Sequence, residues 1–186
     1  IDLKTLQTRP RTRTDLFSFE LPVDYTSAED RPQAIRFMEG ICNNDIEMVP
    51  YLQRVLGYSL TGEISERSLF ILWGVGMNGK SRLLEIMKNI MGAYYTSLAE
   101  SVLIKQNRAT TGATPELMAL VSSRLGVVSE TNNRDTLNEQ RIKQATGGDE
   151  MTGRPLYGKQ MTFTPQKKLW MRTNHLPELN FREQAM

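Results

Sequence analysis

With 186 residues and 39% hydrophobic side chains, the chain is long enough for one full domain plus a smaller attached one, and a sizeable core excludes a wholly disordered protein. The formal net charge is +2, unevenly spread: residues 1–100 carry 11 basic and 13 acidic side chains, residues 101–186 carry 12 and 8. The second half therefore has the balance a polyanionic partner favours, although an imbalance of this size is also ordinary.

Cys42 is the one cysteine, which excludes an intrachain disulfide and a cysteine-built zinc cluster and makes an intracellular compartment the default. It reads as a small buried hydrophobe in a helix. His175 is also alone, which argues against a multi-histidine metal site. No stretch approaches the roughly 20 apolar residues of a membrane span. The opening IDLKTLQTRPRTRT is neither a signal peptide nor an initiator-Met terminus, so the chain is expected to be a piece of a longer protein.

In chain order, residues 1–31 form a lead-in segment. The basic run TRPRTRT at 8–14 precedes LFSFELPVDY at 16–25, whose alternation predicts a short strand or two and a turn. Arg9, Arg11 and Arg13 read as a solvated face. From Pro32 the spacing of Ile35, Met38, Ile41 and Cys42 predicts a helix, and Leu52, Val55 and Leu56 predict a second over 50–57 that stops at Gly57. Residues 32–64 are thus expected to form a small helical domain or collar, and 65–186 an α/β core whose C-terminal part is incomplete.

LFILW at 69–73 is a continuous apolar run of strand length, the kind found in the middle of a parallel sheet covered on both faces. The loop at 74–79 leads into a helix with Leu83, Leu84, Met87, Ile90 and Met91 on one stripe, closed by Gly92. Residues 114–123 predict a helix with Pro115 in its first turn. RLGVVSE at 124–130 predicts a buried strand ending on an acid, and 135–146 a polar helix. MTGRPLYGKQMTF at 151–163 predicts a hairpin, and KKLWMRTN at 167–174 a last strand with a polar end.

Gly74-Val75-Gly76-Met77-Asn78-Gly79-Lys80-Ser81 is a complete G-x-x-x-x-G-K-S match between a strand and an amphipathic helix. In such a loop the backbone N–H groups of 74–79 turn inward around phosphate oxygens and the helix N-terminus adds its dipole. Lys80 reaches the outer phosphates of ATP, Ser81 offers its hydroxyl to Mg2+, and Arg82 flanks them. An acid at the end of a neighbouring strand is also required, to hold magnesium or polarise the attacking water. Glu130 is the candidate, with Ser129 beside it a less certain participant. Asn174 could orient water or sense the γ-phosphate, with Thr173 a weaker alternate; an Asn opening the turn before Pro177 is the plainer reading.

These motifs together resemble the primase-associated helicases of phages, plasmids and large DNA viruses, members of helicase superfamily three within the AAA+ group. The resemblance spans roughly 16–177 and rests on GVGMNGKS, RLGVVSE, IKQATGGDEMTGRPLYGK at 142–159 and FTPQKKLWMRTNHLP at 163–177. It implies a P-loop NTPase fold with a parallel sheet flanked by helices. Lys80 and Ser81 match the nucleotide and magnesium residues, Glu130 the water-activating acid and Asn174 the polar sensor. The 151–163 segment resembles the hairpin that grips single-stranded DNA in a ring, with Lys159 and Arg154 as phosphate contacts and Lys143 third. The resemblance also implies a hexamer, 3′ to 5′ travel, a primase or polymerase domain upstream, and a cytoplasmic protein encoded by a mobile element. An arginine finger is expected downstream of the sensor strand, but Arg182 stands too close to it and in the wrong pattern.

Two rivals remain. A loader or remodeller would hydrolyse ATP without unwinding, and a DNA-binding or scaffolding module would bind nucleotide without turnover.

Overall fold

The computed structural model describes residues 1–3, 5–15, 17–26, 31–106, 113–121, 123–129 and 135–178. Its helices are α1 Pro32–Ile41, α2 Met48–Leu60, α3 Lys80–Met91, α4 Pro115–Met118 and α5 Glu139–Gly147. The strands are β1 Leu69–Trp73, β2 Tyr95–Leu98, β3 Leu125–Ser129, β4 Met151–Gly153, β5 Met161–Phe163 and β6 Lys168–Thr173.

Four strands form a parallel sheet in the order β1-β6-β3-β2. Parallel strands need crossovers, and the crossover helices bury both faces of the sheet. Along β6 the alternation is direct: Leu169 and Met171 enter a layer with Val102, Leu103, Leu117 and Met151, whereas Trp170 enters the opposite layer. That second layer holds Leu52 and Val55 of α2 together with Leu83, Leu84, Met87 and Met91 of α3. Its polar tie is Ser59, which donates to the Val55 carbonyl at 2.8 Å and accepts from the Trp170 indole at 3.1 Å, with both residues fully buried. The result is a small α/β domain with a parallel four-stranded sheet and a smaller helical region against it.

Several local expectations change. The LFILW run forms β1 as expected but lies at the sheet edge rather than its middle, with Ile71 and Trp73 exposed. Its apolar character reflects the helix layer on one side and its partner β6, not cover on all sides. Helix α2 runs through Gly57 to Leu60, because a helix-compatible glycine does not stop a helix whose next turn, at Ser59, is tied into the core. Ile35 of α1 is exposed, and Cys42 is half-buried just past the helix end rather than within it.

Among the described residues of 16–25 there is no strand. Arg13–Asp15 is a single 3-10 turn, and the aromatic Phe19 packs edge-on against Tyr94 at 5.5 Å instead of pairing in a sheet. The helix expected over 114–123 is one turn, since the chain must come back to start β3 at Leu125. Residues 135–138 are extended ahead of α5; Thr136 and Leu137 make isolated bridges to Glu178 and Ile104, and the Asn138 side chain caps the helix at Arg141 N–H, 3.1 Å. The short β2, YTSL, was not expected from the sequence.

The 151–163 hairpin forms, with Met151 paired to Phe163 and Gly153 to Met161. Gly153 suits the close approach of α4 to the hairpin base, where a Cβ would make the Met118 side chain shift from 2.8 Å.

Candidate phosphate-binding cleft

Because the four sheet strands are parallel, their carboxyl ends share one edge, the place where ligands bind in open α/β sheets. β1 ends there at Trp73 and the chain turns through 74–79 into α3, whose N-terminus faces the same edge. The two glycines fixed by the motif are the two that the geometry demands. Gly74 has φ +149° and a Cβ would collide with the Asn78 amide; Gly79 has φ +83° and a Cβ would collide with Ile41 at the end of α1. Gly76 is different, since a Cβ there meets nothing within 4 Å.

The loop and β6 line a cleft of about 470 Å³, formed by residues 76–82 with Arg172, Thr173 and Asn174. Lys80 places its ammonium over the loop, donating to the Gly74 carbonyl at 2.6 Å, the Val75 carbonyl at 3.1 Å and Asn78 Oδ1 at 2.9 Å. Ser81 Oγ accepts from Arg172 Nη1 at 2.9 Å. Arg82 pairs with Glu85 at 2.7 Å, one turn along α3. The cleft lining thus carries three cations and no acid among the described residues. With a helix N-terminus added, that donor set fits a polyphosphate.

Asn174 is exposed at the cleft, whereas Thr173 is buried and spent on its own turn: its hydroxyl donates to the His175 carbonyl at 2.7 Å and accepts from His175 N–H at 3.0 Å. The Thr173 hydroxyl is thus engaged within its own turn at the rim of the cleft. Glu130 and Arg182 lie outside the described residues. Arg172 was missed in the sequence, although the pattern held a signal: it stands two residues before Asn174 on an alternating strand.

The basic residues expected to meet nucleic acid are divided. Arg154 and Lys159 are exposed on the two sides of one turn, closed by Gly158 N–H on the Pro155 carbonyl at 3.1 Å, while Lys143 is exposed on α5, a different element. Tyr157 at that tip has φ +59° and is fully exposed. The Arg154 backbone is anchored to Thr114, which fixes the hairpin base.

Cations of another kind begin β6. Lys167 and Lys168 are 1% and 2% exposed. The Lys167 ammonium donates to the Ala119 carbonyl, and that of Lys168 to the Thr61 carbonyl, 4.7 Å from the centre of the Tyr58 ring. Burial pushes both ammonium groups down to about 8, Arg124 adding to the effect at Lys168.

Residues 72–185 match the model of a family of unknown function, DUF5906. The chain is 34% identical over 135 residues to "Putative helicase L207/L206" of Acanthamoeba polyphaga mimivirus, a match covering 73% of this chain and 14% of that protein. It is 31% identical over 100 residues to "Putative primase C962R" of African swine fever virus, covering 53% of this chain and 10% of the relative. "Putative helicase 022R" of Frog virus 3 is 31% identical over 121 residues, covering 62% and 12%. The chain therefore spans about a seventh or less of the length of these relatives. An apo structure of the NrS-1 C-terminal region superposes with TM-score 0.59 at 11% identity, over 85% of this chain and 36% of that one, which speaks to the fold. No helix among the described residues is long and apolar enough to cross a membrane. With the family model matching more than half its length, the chain belongs to DUF5906, within the primase–helicase superfamily of viruses and phages that is associated with superfamily three.

Proposed function

We propose that the chain is the ATP-hydrolysing motor core of a replicative DNA helicase, with an AAA+ P-loop fold. The observation that carries this reading is the cleft, where two sterically required glycines, Lys80 and a helix N-terminus converge on a space lined by cations. In this reading the backbone at Gly74, Gly76, Asn78 and Gly79 cradles the inner phosphates and Lys80 transfers its ammonium from loop carbonyls to the outer ones, with Arg82 alongside. Ser81 and Glu130, which directly follows β3 in sequence, would hold Mg2+; the ion neutralises charge on the β- and γ-phosphates when bound. Glu130 takes the proton of the attacking water and Asn174 orients that water against the γ-phosphate.

Lys159 and Arg154 on the hairpin, and Lys143 third, contact the backbone of single-stranded DNA, so the motor is largely indifferent to sequence. The long relatives and the resemblance favour a ring, a hexamer by analogy, with residues 32–64 as collar, 65–186 as motor core and a primase or polymerase domain upstream; 3′ to 5′ travel rests on the resemblance alone.

The test is steady-state ATP hydrolysis by the full-length protein, with and without single-stranded DNA, beside Lys80→Ala and Lys159→Ala. Turnover raised by DNA, abolished by the first change and uncoupled from DNA by the second, is the expected result. Turnover indifferent to DNA would instead favour a loader or remodeller, and nucleotide binding without turnover in the assembled protein a binding module.

A further inference from the structure

The sequence from Met151 to Pro177 contains no aspartate or glutamate, and the turn at the hairpin tip is flanked by two exposed cations, Arg154 and Lys159. Between them stand Pro155, Leu156, Tyr157 and Gly158. The Gly158 N–H on the Pro155 carbonyl closes a four-residue turn, so Leu156 and Tyr157 are its central pair. Of the two, Tyr157 is the one with positive φ, +59°. That place in a turn normally goes to glycine or asparagine, because a larger side chain crowds its own backbone there.

Tyrosine is thus a costly choice at this position, and burial within the chain does not offset it: the ring is fully exposed, and Leu156 beside it is 62% exposed. The tip is nonetheless held firmly. Pro155 has its φ fixed by its ring, Gly158 leaves no room for a Cβ against that ring, and the Arg154 backbone exchanges two bonds with Thr114, at 2.8 and 3.0 Å. A stiff arm therefore presents one large planar ring between two cations.

That order of groups matches an unpaired nucleotide strand, where each base offers an open π-face and a phosphate lies on either side of it. In a duplex the base faces are covered by their neighbours in the stack, so a ring on a turn reaches only an unpaired strand. A protein partner would instead find two apolar side chains on a projecting turn, without a surface of the size that protein interfaces need.

We propose that Tyr157 is a base-stacking residue, the ring that lies against an unpaired base of single-stranded DNA while Arg154 and Lys159 hold the flanking phosphates. This rests on the reading of the hairpin as the element that contacts DNA. It adds to phosphate gripping a contact that depends on the base being present and unpaired, and that salt screens little.

The test is fluorescence anisotropy of the full-length protein with a labelled oligothymidylate and with a strand of equal length built from abasic nucleotides, across a salt series. Wild type is compared with Tyr157→Asn, which suits the left-handed backbone but lacks the ring, Tyr157→Phe, which keeps the ring, and Lys159→Ala. Tyr157→Asn is expected to weaken oligothymidylate by about tenfold or more and the abasic strand by less than about twofold, with an unchanged salt slope. Tyr157→Phe should stay within about twofold of wild type on both strands. Lys159→Ala should weaken both strands alike and lower the salt slope by about one. Tyr157→Asn costing both strands equally, costing neither, or being matched by Tyr157→Phe would each overturn the stacking role. Failure of the wild-type protein to bind either strand would overturn the hairpin reading beneath it, a separate result. Asparagine keeps the turn, so the thermal midpoint of Tyr157→Asn is expected not to fall, which separates lost stacking from a loosened hairpin.

Discussion

Strand β6 carries cations at both ends, and the two ends use them in opposite ways. At its start, Lys167 and Lys168 are buried, their ammonium groups closed off by the carbonyls of Ala119 and Thr61, and the cavity beside them is only about 10 Å³. At its finish, Arg172 lines a cleft of about 470 Å³ with Lys80 and Arg82. Charge is common to both ends; room for a ligand is not. A buried cation bonded to a backbone carbonyl of another segment ties elements together, here the end of α4 and the α2–β1 connection to the sheet. A cation such as Lys80, whose partners are two loop carbonyls and an amide oxygen beside open space, can exchange them for phosphate. The difference teaches that partner type and free volume, rather than basic residues as such, separate a binding site from an internal brace.

Changes at one end should therefore alter ligand binding, and changes at the other folding. The largest effect is expected at Gly79→Ala, which combines a left-handed backbone with a collision against Ile41: nucleotide binding falls below detection and stability drops by about 2 kcal/mol or more, read by titration and by denaturant unfolding. Ser59→Ala comes next. It orphans the buried Trp170 indole N–H and should cost about 1–3 kcal/mol with nucleotide affinity unchanged; a loss of affinity there would blur the distinction between core and cleft.

The smallest effect is a pH dependence. Both buried lysines titrate near 8 in the folded chain and near 10.5 when unfolded, so between those values the unfolded chain holds more protons. Their part in stability is unfavourable and constant below about 8, then improves as pH rises to about 10.5. The double change Lys167→Met with Lys168→Met should flatten that rise, followed by denaturant midpoints across the window, and leave ATP affinity as it was.

The sequence made the local chain of strand, loop and helix legible because each signal there is short-range. Gly74 and Gly79 are demanded by backbone angles and near neighbours, Gly92 ends α3, and the 151–163 turn signals close within one hairpin. What it left dark depends on partners far along the chain. The edge position of β1 follows from the order in which β6, β3 and β2 pair, and the Arg172–Ser81 contact joins residues 91 positions apart. Nothing local in the sequence marks Lys167 and Lys168 as buried; that follows from packing. Gly57 reads as a stop until the contact between Ser59 and Trp170 shows why the helix continues. Glu130, the clearest acid in the sequence, lies outside the described residues, so its role rests on the pattern alone.

The central claim is that the 74–82 loop and the end of β6 form a nucleoside triphosphate site, and binding of ATP with Mg2+ to the full chain before and after Lys80→Ala measures it most directly. Saturable binding at one site, weakened about a hundredfold or more by the substitution while the thermal midpoint stays within a few degrees, is what this account predicts. Binding that survives Lys80→Ala unchanged, or no binding by a folded wild-type chain, would contradict it.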